Sequence, residues 1–152
     1  MTGIAVVGAA ETTELGKIPH LSQHQLHADA ALNAMADAGI TAKDIDGIAT
    51  AGDRPTDLAY YLGITPTWVD GTSVGGCSFM LHVRHAVAAI ASGQCTTVLI
   101  THGESGRSGV GRGGFPRAPA SLAGQFEVPY GPMGPPTMFT LPVLRYMKDY
   151  GM

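Results

Sequence analysis

Gly75, Gly76, Cys77 and Ser78 form the stretch whose residue types invite chemistry most directly. They fall where a loop hands over to an apolar helical run. The first N–H groups of a helix have no partner inside it, and the helix dipole places its positive end there. A cysteine at that point is favoured as the thiolate, the form that attacks carbon. Paired glycines let a ligand approach the backbone closely. The amides of Gly76, Cys77 and Ser78 are suited to stabilising an oxyanion. The same pattern also fits a small thiol that only packs, because free cysteine is among the most buried residue types. Cys95 follows Gly93 at a helix-to-strand turn with no charged neighbour in sequence, and reads as packing.

His102 ends the clearest strand of the chain, and ligands of open α/β sheets sit outside the carboxyl ends of strands. It reads as a substrate contact, as an organiser of the following loop, or as a hydrogen-bonded structural histidine. His24 and His27, and likewise His82 and His85, are three residues apart on predicted helices. No Cys-x-x-Cys or carboxylate-rich pattern joins either pair, so no metal site is expected. Gly111-Arg112-Gly113-Gly114 lacks the preceding strand and the Lys-Ser/Thr ending of a phosphate loop. Arg107, Arg112 and Arg117 suit an anionic ligand or a solvated loop face, and Arg112 is the substrate-binding candidate among them.

Elements must hold these residues in place. Gly3–Ala9 is an apolar, β-branched run that reads as a strand buried on both faces. Ser22 opens a helix with Gln25 as the reciprocal member of a capping box, and Gly39 closes it. Ile48–Ala51 reads as a strand, Pro55–Leu62 as a short helix and Thr67–Asp70 as a further strand. Residues 77–92 carry Phe79, Val83, Ala86, Val87 and Ile90 at helical spacing, which predicts a central, largely buried helix. Thr96–His102 is nearly all β-branched and predicts a strand. Strands alternating with helices imply α/β architecture with a mainly parallel sheet.

The organisation expected is a core over residues 1–102, a covering loop over 103–138 and the start of a helical element over 139–152. The 36 residues 103–138 hold nine glycines and six prolines, a composition that predicts irregular structure. Thr140 and Pro142 begin the last helix, which carries Leu144, Met147 and Tyr150. A lone helix after a long loop has little to pack on, so a truncated chain is expected.

Composition excludes several classes. The 152 residues are 45% hydrophobic and 14% charged, which argues against disorder. Nine basic against twelve acidic residues give a net charge of −3, unlike a nucleic-acid binder. No apolar run approaches the length of a membrane-spanning helix. The start lacks a basic region followed by a long apolar one, so no signal peptide is read and a cytoplasmic location is expected. Two cysteines make no disulfide framework.

The run Val69-Asp70-Gly71-Thr72-Ser73-Val74-Gly75-Gly76-Cys77-Ser78 resembles the thiolase superfamily. So do the turn Ala91-Ser92-Gly93 and the strand that runs into Gly103-Glu104-Ser105. Gly3-Ile4-Ala5-Val6-Val7-Gly8 and Gln125-Phe126-Glu127-Val128-Pro129-Tyr130-Gly131 look most like its sterol carrier protein x, or lipid-transfer protein, branch. The resemblance covers essentially the whole chain but only the N-terminal portion of a thiolase. It implies the layered thiolase fold and a homodimer. It also implies an acyl-CoA C-acyltransferase of the acetyl-CoA acetyltransferase type, with coenzyme A thioesters as substrates and no resident cofactor. Cys77 would be the nucleophile, with Gly76 and Ser78 beside it and His102 and Arg112 toward substrate.

Counting back from Gly93 by the family's usual helix length places the nucleophile at Gly76, one residue early. That offset favours an alternative, a steroid side-chain aldolase-type carbon–carbon lyase acting on a steroid-CoA with an acyl-CoA-binding partner subunit. A non-catalytic assembly fragment is the third reading. The family's catalytic histidine, asparagine and second cysteine belong to its C-terminal half, so this chain alone is expected to be inactive.

Overall fold

The computed structural model describes residues 3–111, 118–131 and 134–152. They fall into two units divided after Gly111, so residues 103–111 stay with the first unit.

Helix α1 (Gln23–Ala38) starts at Ser22. The Ser22 hydroxyl accepts from the Gln25 amide at 3.2 Å, and the Gln25 carboxamide oxygen accepts from the Ser22 amide at 2.8 Å. This is the capping box expected from the sequence, and Gly39 ends the helix. Strand β1 (Gly47–Ala51) follows, with all five residues buried. Helix α2 (Pro55–Leu62) uses proline in its first turn, where the missing N–H costs nothing. Strand β2 (Trp68–Asp70), helix α3 (Ser78–Ala91) and strand β3 (Val98–His102) complete the first unit.

The three strands are parallel in the order β2-β1-β3, with Gly47 opposite both Trp68 and Val98. Such pairing needs helical crossovers, which α2 and α3 supply. Ile48 of β1 is fully buried, and Ala28, Ala31 and Met35 of α1, Leu58 of α2 and Leu99 of β3 belong to the core around it.

Asp46 ties the amino ends of the strands together. Its carboxylate accepts from the Thr96 and Thr97 amides, each at 2.8 Å, and from the Thr96 hydroxyl at 2.9 Å. Its carbonyl accepts from the Thr67 amide at 2.8 Å. Burial pushes the Asp46 carboxyl upward, but the hydrogen bonds from Thr97 and Thr96 outweigh it and hold the group below the usual carboxylate range. The same bonds explain why β3 begins at Val98 rather than at Thr96, since the Thr96 and Thr97 amides are turned to a carboxylate.

Three expectations are corrected. Residues 3–9 do not form a strand: they lie outside any ladder, and Val6 is 80% exposed. An apolar, β-branched run becomes a strand only where a neighbour pairs with it, and no described segment does so. On α3 the buried residues are Ser78, His82, Ala86 and Ala89, while Met80, Val83 and Val87 are exposed. Small and polar residues face the sheet because they let the helix axis sit close to it, and Met80, Val83 and Val87 are left outside. The Gly/Pro-rich segment is not structureless: α4 (Leu122–Phe126), a 3₁₀ turn at Val128–Tyr130 and α5 (Pro135–Met138) punctuate it. The Ser121 hydroxyl caps α4 at the Gly124 amide, 3.0 Å away, and prolines start α5. Helix α6 (Thr140–Asp149) ends the chain, and no described residue of this second unit is buried. No helix among the described residues is long and apolar enough to cross a membrane.

Candidate functional site

The loop from Asp70 to Cys77 is held by side chains of the helix it feeds. The Ser78 hydroxyl accepts from the Val74 amide at 3.0 Å and donates to the Gly75 carbonyl at 2.6 Å. One turn on, His82 is fully buried, and its Nε2–H donates to the Thr72 carbonyl at 2.9 Å. His85 Nδ1 donates to Asp70 Oδ2 at 2.7 Å, while Asp70 Oδ1 accepts from the Thr72 amide and hydroxyl at 2.8 and 2.6 Å. Burial pushes Asp70 upward, but the Thr72 hydroxyl, the His85 ring and the Thr72 amide together hold its carboxyl below the usual range.

Gly75 has φ +89°, a conformation that side-chain-bearing residues rarely adopt, so the sharp entry to α3 depends on it. Cys77 is the N-cap of α3 and is exposed, with Sγ 3.8 Å from the Val74 carbonyl. The Gly76 and Cys77 amides carry no hydrogen bond. Two unbonded N–H groups and a thiol thus share one helix end, a combination suited to negative charge developing on a bound carbonyl. Ser78 is spent on the loop and shapes it.

Phe79, two residues past Cys77, brings this helix end to the carboxyl end of β3. Its ring centroid lies 5.0 Å from that of His102. His102 Nδ1–H donates to the Ala51 carbonyl at 2.9 Å, which turns Nε2 toward Glu104 Oε2 at 3.4 Å. Cys77 and His102 therefore belong to one end of the sheet. Arg112 and Arg117 lie outside the described residues.

Sequence reasoning weighed His24 and His27 only as a histidine pair and missed the set of polar groups they join at that end. His24 of α1 contacts Asp53, just past β1. His27 is fully buried, with Nδ1 2.8 Å from the Thr101 hydroxyl and Nε2 without a partner. Burial lowers the His27 pKa from 6.5 to about 4; Asp53 opposes this, and His102 and His24 add to it. The Gln23 Nε2 amide is likewise buried and without a partner. The signal available was the run Gln23, His24, His27, which puts three polar side chains on the first turns of a helix whose other face is alanine-rich. The pairs His24/His27 and His82/His85 do not converge, since each ring has its own partner. Among the described residues no group of three His, Cys, Asp or Glu is placed to hold a metal ion.

The accessibility of the two cysteines separates them. Cys77 is exposed, whereas Cys95 is 4% exposed and its thiol is pushed up by burial and by the nearby Asp46. Iodoacetamide at neutral pH is expected to alkylate Cys77 on the order of tenfold faster than Cys95, read by peptide mass spectrometry. Equal rates would remove Cys77 from an accessible helix end.

No protein-family model matches the chain. A solved structure described as an Ltp2-ChsH2(DUF35) aldolase superposes with a TM-score of 0.79 at 29% identity, covering 97% of this chain and 38% of that one. A monomeric SCP2-thiolase-like protein of Mycobacterium smegmatis superposes with a TM-score of 0.52, also at 29% identity, over 62% of this chain and 21% of that one. Cerulenin-bound OleA of Xanthomonas campestris matches at 19% identity with a TM-score of 0.51, over 57% of this chain and 28% of that one. The fold is thiolase-like. Two curated relatives align over 99% of the chain at 29% identity: a steroid side-chain-cleaving aldolase of Thermomonospora curvata and a 17-hydroxy-3-oxo-4-pregnene-20-carboxyl-CoA lyase of Mycobacterium tuberculosis. The thiolase-like chain described here spans 41% and 42% of their respective lengths.

Proposed function

We propose that this thiolase-like chain belongs to a carbon–carbon lyase of the steroid side-chain aldolase type. The observation that carries the reading is the alignment of 99% of the chain with two relatives, both named for that cleavage. It displaces the acyltransferase expectation and takes up the alternative that the one-residue offset of Cys77 favoured. The substrate class is a β-hydroxyacyl-CoA built on a polycyclic carbon skeleton. The name of the similar solved structure, which pairs Ltp2 with ChsH2(DUF35), supports an acyl-CoA-binding partner subunit.

The reaction is a retro-aldol step. A base takes the proton of the substrate hydroxyl, and a carbonyl forms at that carbon. The bond to the neighbouring α-carbon breaks. Its electron pair passes into the thioester as an enolate, and an acid returns a proton to the α-carbon. No covalent acyl-enzyme is needed, so Cys77 is not required as a nucleophile. In this reading the free amides of Gly76 and Cys77 stabilise the enolate oxygen. His102, fixed by Ala51 and facing Glu104, is the proton-transfer candidate within this chain. Arg112 is kept as a contact for the anionic end of the thioester ligand. Residues from the remaining portion of the longer relatives would supply the rest of the acid–base set.

The test uses the chain joined to the portion of the Thermomonospora curvata aldolase that lies beyond its aligned region, co-expressed with a ChsH2(DUF35)-type subunit. Incubation with 17-hydroxy-3-oxo-4-pregnene-20-carboxyl-CoA is expected to release a ketosteroid and a shortened acyl-CoA. Thiolysis of acetoacetyl-CoA with coenzyme A, in place of that cleavage, would restore the acyltransferase reading. Cys77→Ala is expected to retain cleavage, whereas acylation of Cys77 during turnover would make the cysteine a nucleophile.

A further inference from the structure

The ring of His102 lies between two acceptors. Nδ1 is 2.9 Å from the Ala51 carbonyl, and Nε2 is 3.4 Å from Glu104 Oε2. A neutral imidazole has one N–H, so only one acceptor receives it. The choice decides the chemistry: with the proton on Nδ1 the Nε2 lone pair is free to act as a base, and with the proton on Nε2 it is not. Phe79 and His27 confine the ring edgewise, with centroids 5.0 and 6.0 Å from that of His102, but neither selects a nitrogen. The selection falls to the Ala51 carbonyl.

Ala51 is the last residue of β1, and the turn that follows sets the direction of its carbonyl. That turn is tied at three points. The fully buried Thr50 donates its hydroxyl to the Asp53 carbonyl at 2.7 Å. Gly52 has φ +90°, and a Cβ there would come within 2.9 Å of Gln23 Nε2 and 3.7 Å of His102 Cε1, so the turn passes between α1 and the His102 ring. Asp53 supplies the third tie. Its Oδ1 accepts from the Arg54 amide at 2.8 Å. Its Oδ2 is buried and meets His24 Nδ1, the one polar partner it has among the described residues.

His24 is itself braced. The ring of Tyr61 on α2 stands edge-on to it, with centroids 5.9 Å apart at 84°. A four-residue turn closes without a carboxylate, and a carboxylate oxygen taken out of water costs free energy. Here that cost fastens to α1 the turn that carries the His102 acceptor.

We propose that His24 and Asp53 are positioning residues for His102. Through the turn 51–54 they aim the Ala51 carbonyl so that the ring proton stays on Nδ1 and Nε2 stays free to take the proton of the substrate hydroxyl. The assignment rests on the reading of His102 as the proton-transfer group of a retro-aldol lyase. Neither residue touches substrate, and the proton they control is one they do not carry.

The test uses the same joined chain with its ChsH2(DUF35)-type subunit, labelled with a heavy nitrogen isotope in histidine alone. Nitrogen NMR reads the ring, and His102→Gln assigns its signals. At about pH 8, above the ordinary histidine value, the parent is expected to show a protonated Nδ1 and a bare Nε2. Asp53→Ala removes one partner of the tie, and His24→Phe removes the other while keeping a ring against Tyr61. In both, the proton is expected to move to Nε2, and kcat for cleavage to fall on the order of tenfold or more with KM within about twofold. Asp53→Asn keeps an oxygen for the Arg54 amide and offers a donor to His24 Nδ1, so it is expected to restore the parent tautomer and most of kcat. Thermal melts show which variants are folded. An Nε2–H ring in the parent, or an Nδ1–H ring in a folded Asp53→Ala or His24→Phe variant, would overturn the proposal. So would a folded Asp53→Asn variant that behaves like Asp53→Ala. A parent with the expected tautomer but no cleavage would count against the lyase reading alone.

Discussion

Gly103→Ala is expected to lower stability by about 3 kcal/mol or more, read as a shift in the urea midpoint with unchanged slope. Gly103 follows β3 directly and presses on the first turns of α1. A methyl group there would lie 2.6 Å from the His27 amide nitrogen, 2.7 Å from His27 Cδ2 and 3.0 Å from the Gln23 carbonyl. Two of these three atoms are backbone, inside a helix fixed at its start by the Ser22 capping box. Relief therefore requires α1 to move away from β3. That movement also strains the contact between His27 and Thr101. A loss below about 0.5 kcal/mol would mean that α1 and β3 are not packed as described.

The second large effect is a pH dependence. His27 is neutral in the fold, with its pKa lowered to about 4, and returns to about 6.5 when unfolded. Between these values the unfolded chain binds a proton that the folded chain does not. Stability is therefore complete above about pH 6.5 and falls as the pH drops toward 4, with a slope of up to about 1.4 kcal/mol per pH unit. Below about 4 this contribution is constant. Asp46 and Asp70 have the opposite displacement, below the unfolded carboxylate value. Their contribution is present above that value, near 3.8, and is lost as the pH falls below it, so the two effects occupy different windows. Urea titrations from pH 4 to 7 on the parent and on His27→Gln separate them. The variant is expected to be less stable at pH 7 and to lose most of the slope between pH 4 and 6.5. An unchanged slope would show that another group takes up the proton.

Local chemistry was legible where it acts within a few residues. The Ser22/Gln25 capping box, Gly39 after α1, Pro55 at the start of α2 and the small-residue loop leading to Cys77 each signalled their element directly. The strand at Gly3–Ala9 was misread because composition records what a segment can bury, whereas pairing depends on a neighbour far away in the chain. The buried stripe of α3 was misread for a related reason. Apolar spacing identifies a face, but Ala86, Ala89 and two polar residues lie against the sheet because the available gap is narrow.

The polar groups near His102 could not be found from spacing. They come from residues 23–27, 50–53 and 101–104, and only the parallel pairing of β1 with β3 gathers them. Helical spacing put His82 and His85 on one face but did not show that both serve one loop, through separate bonds to Thr72 and Asp70. The resemblance of Val69–Ser78 and Gly103–Ser105 pointed to the fold, and the cysteine offset pointed to the alternative that the alignment with the two relatives supports.

The clasp formed by Asp46 has a consequence for synthesis on the ribosome. Its partners Thr96 and Thr97 lie 50 and 51 residues later, while Thr67 lies 21 later. At about 5–20 residues per second, the central strand waits roughly 3–10 s after it is made before the second of its two neighbours exists. During that interval β1 carries one bare edge, and its short sequence Gly47-Ile48-Ala49-Thr50-Ala51 contains only one large apolar residue. A strand that must wait is thereby kept poor in the side chains that drive premature association. The small residues at the heart of this sheet serve the nascent chain as well as the finished one.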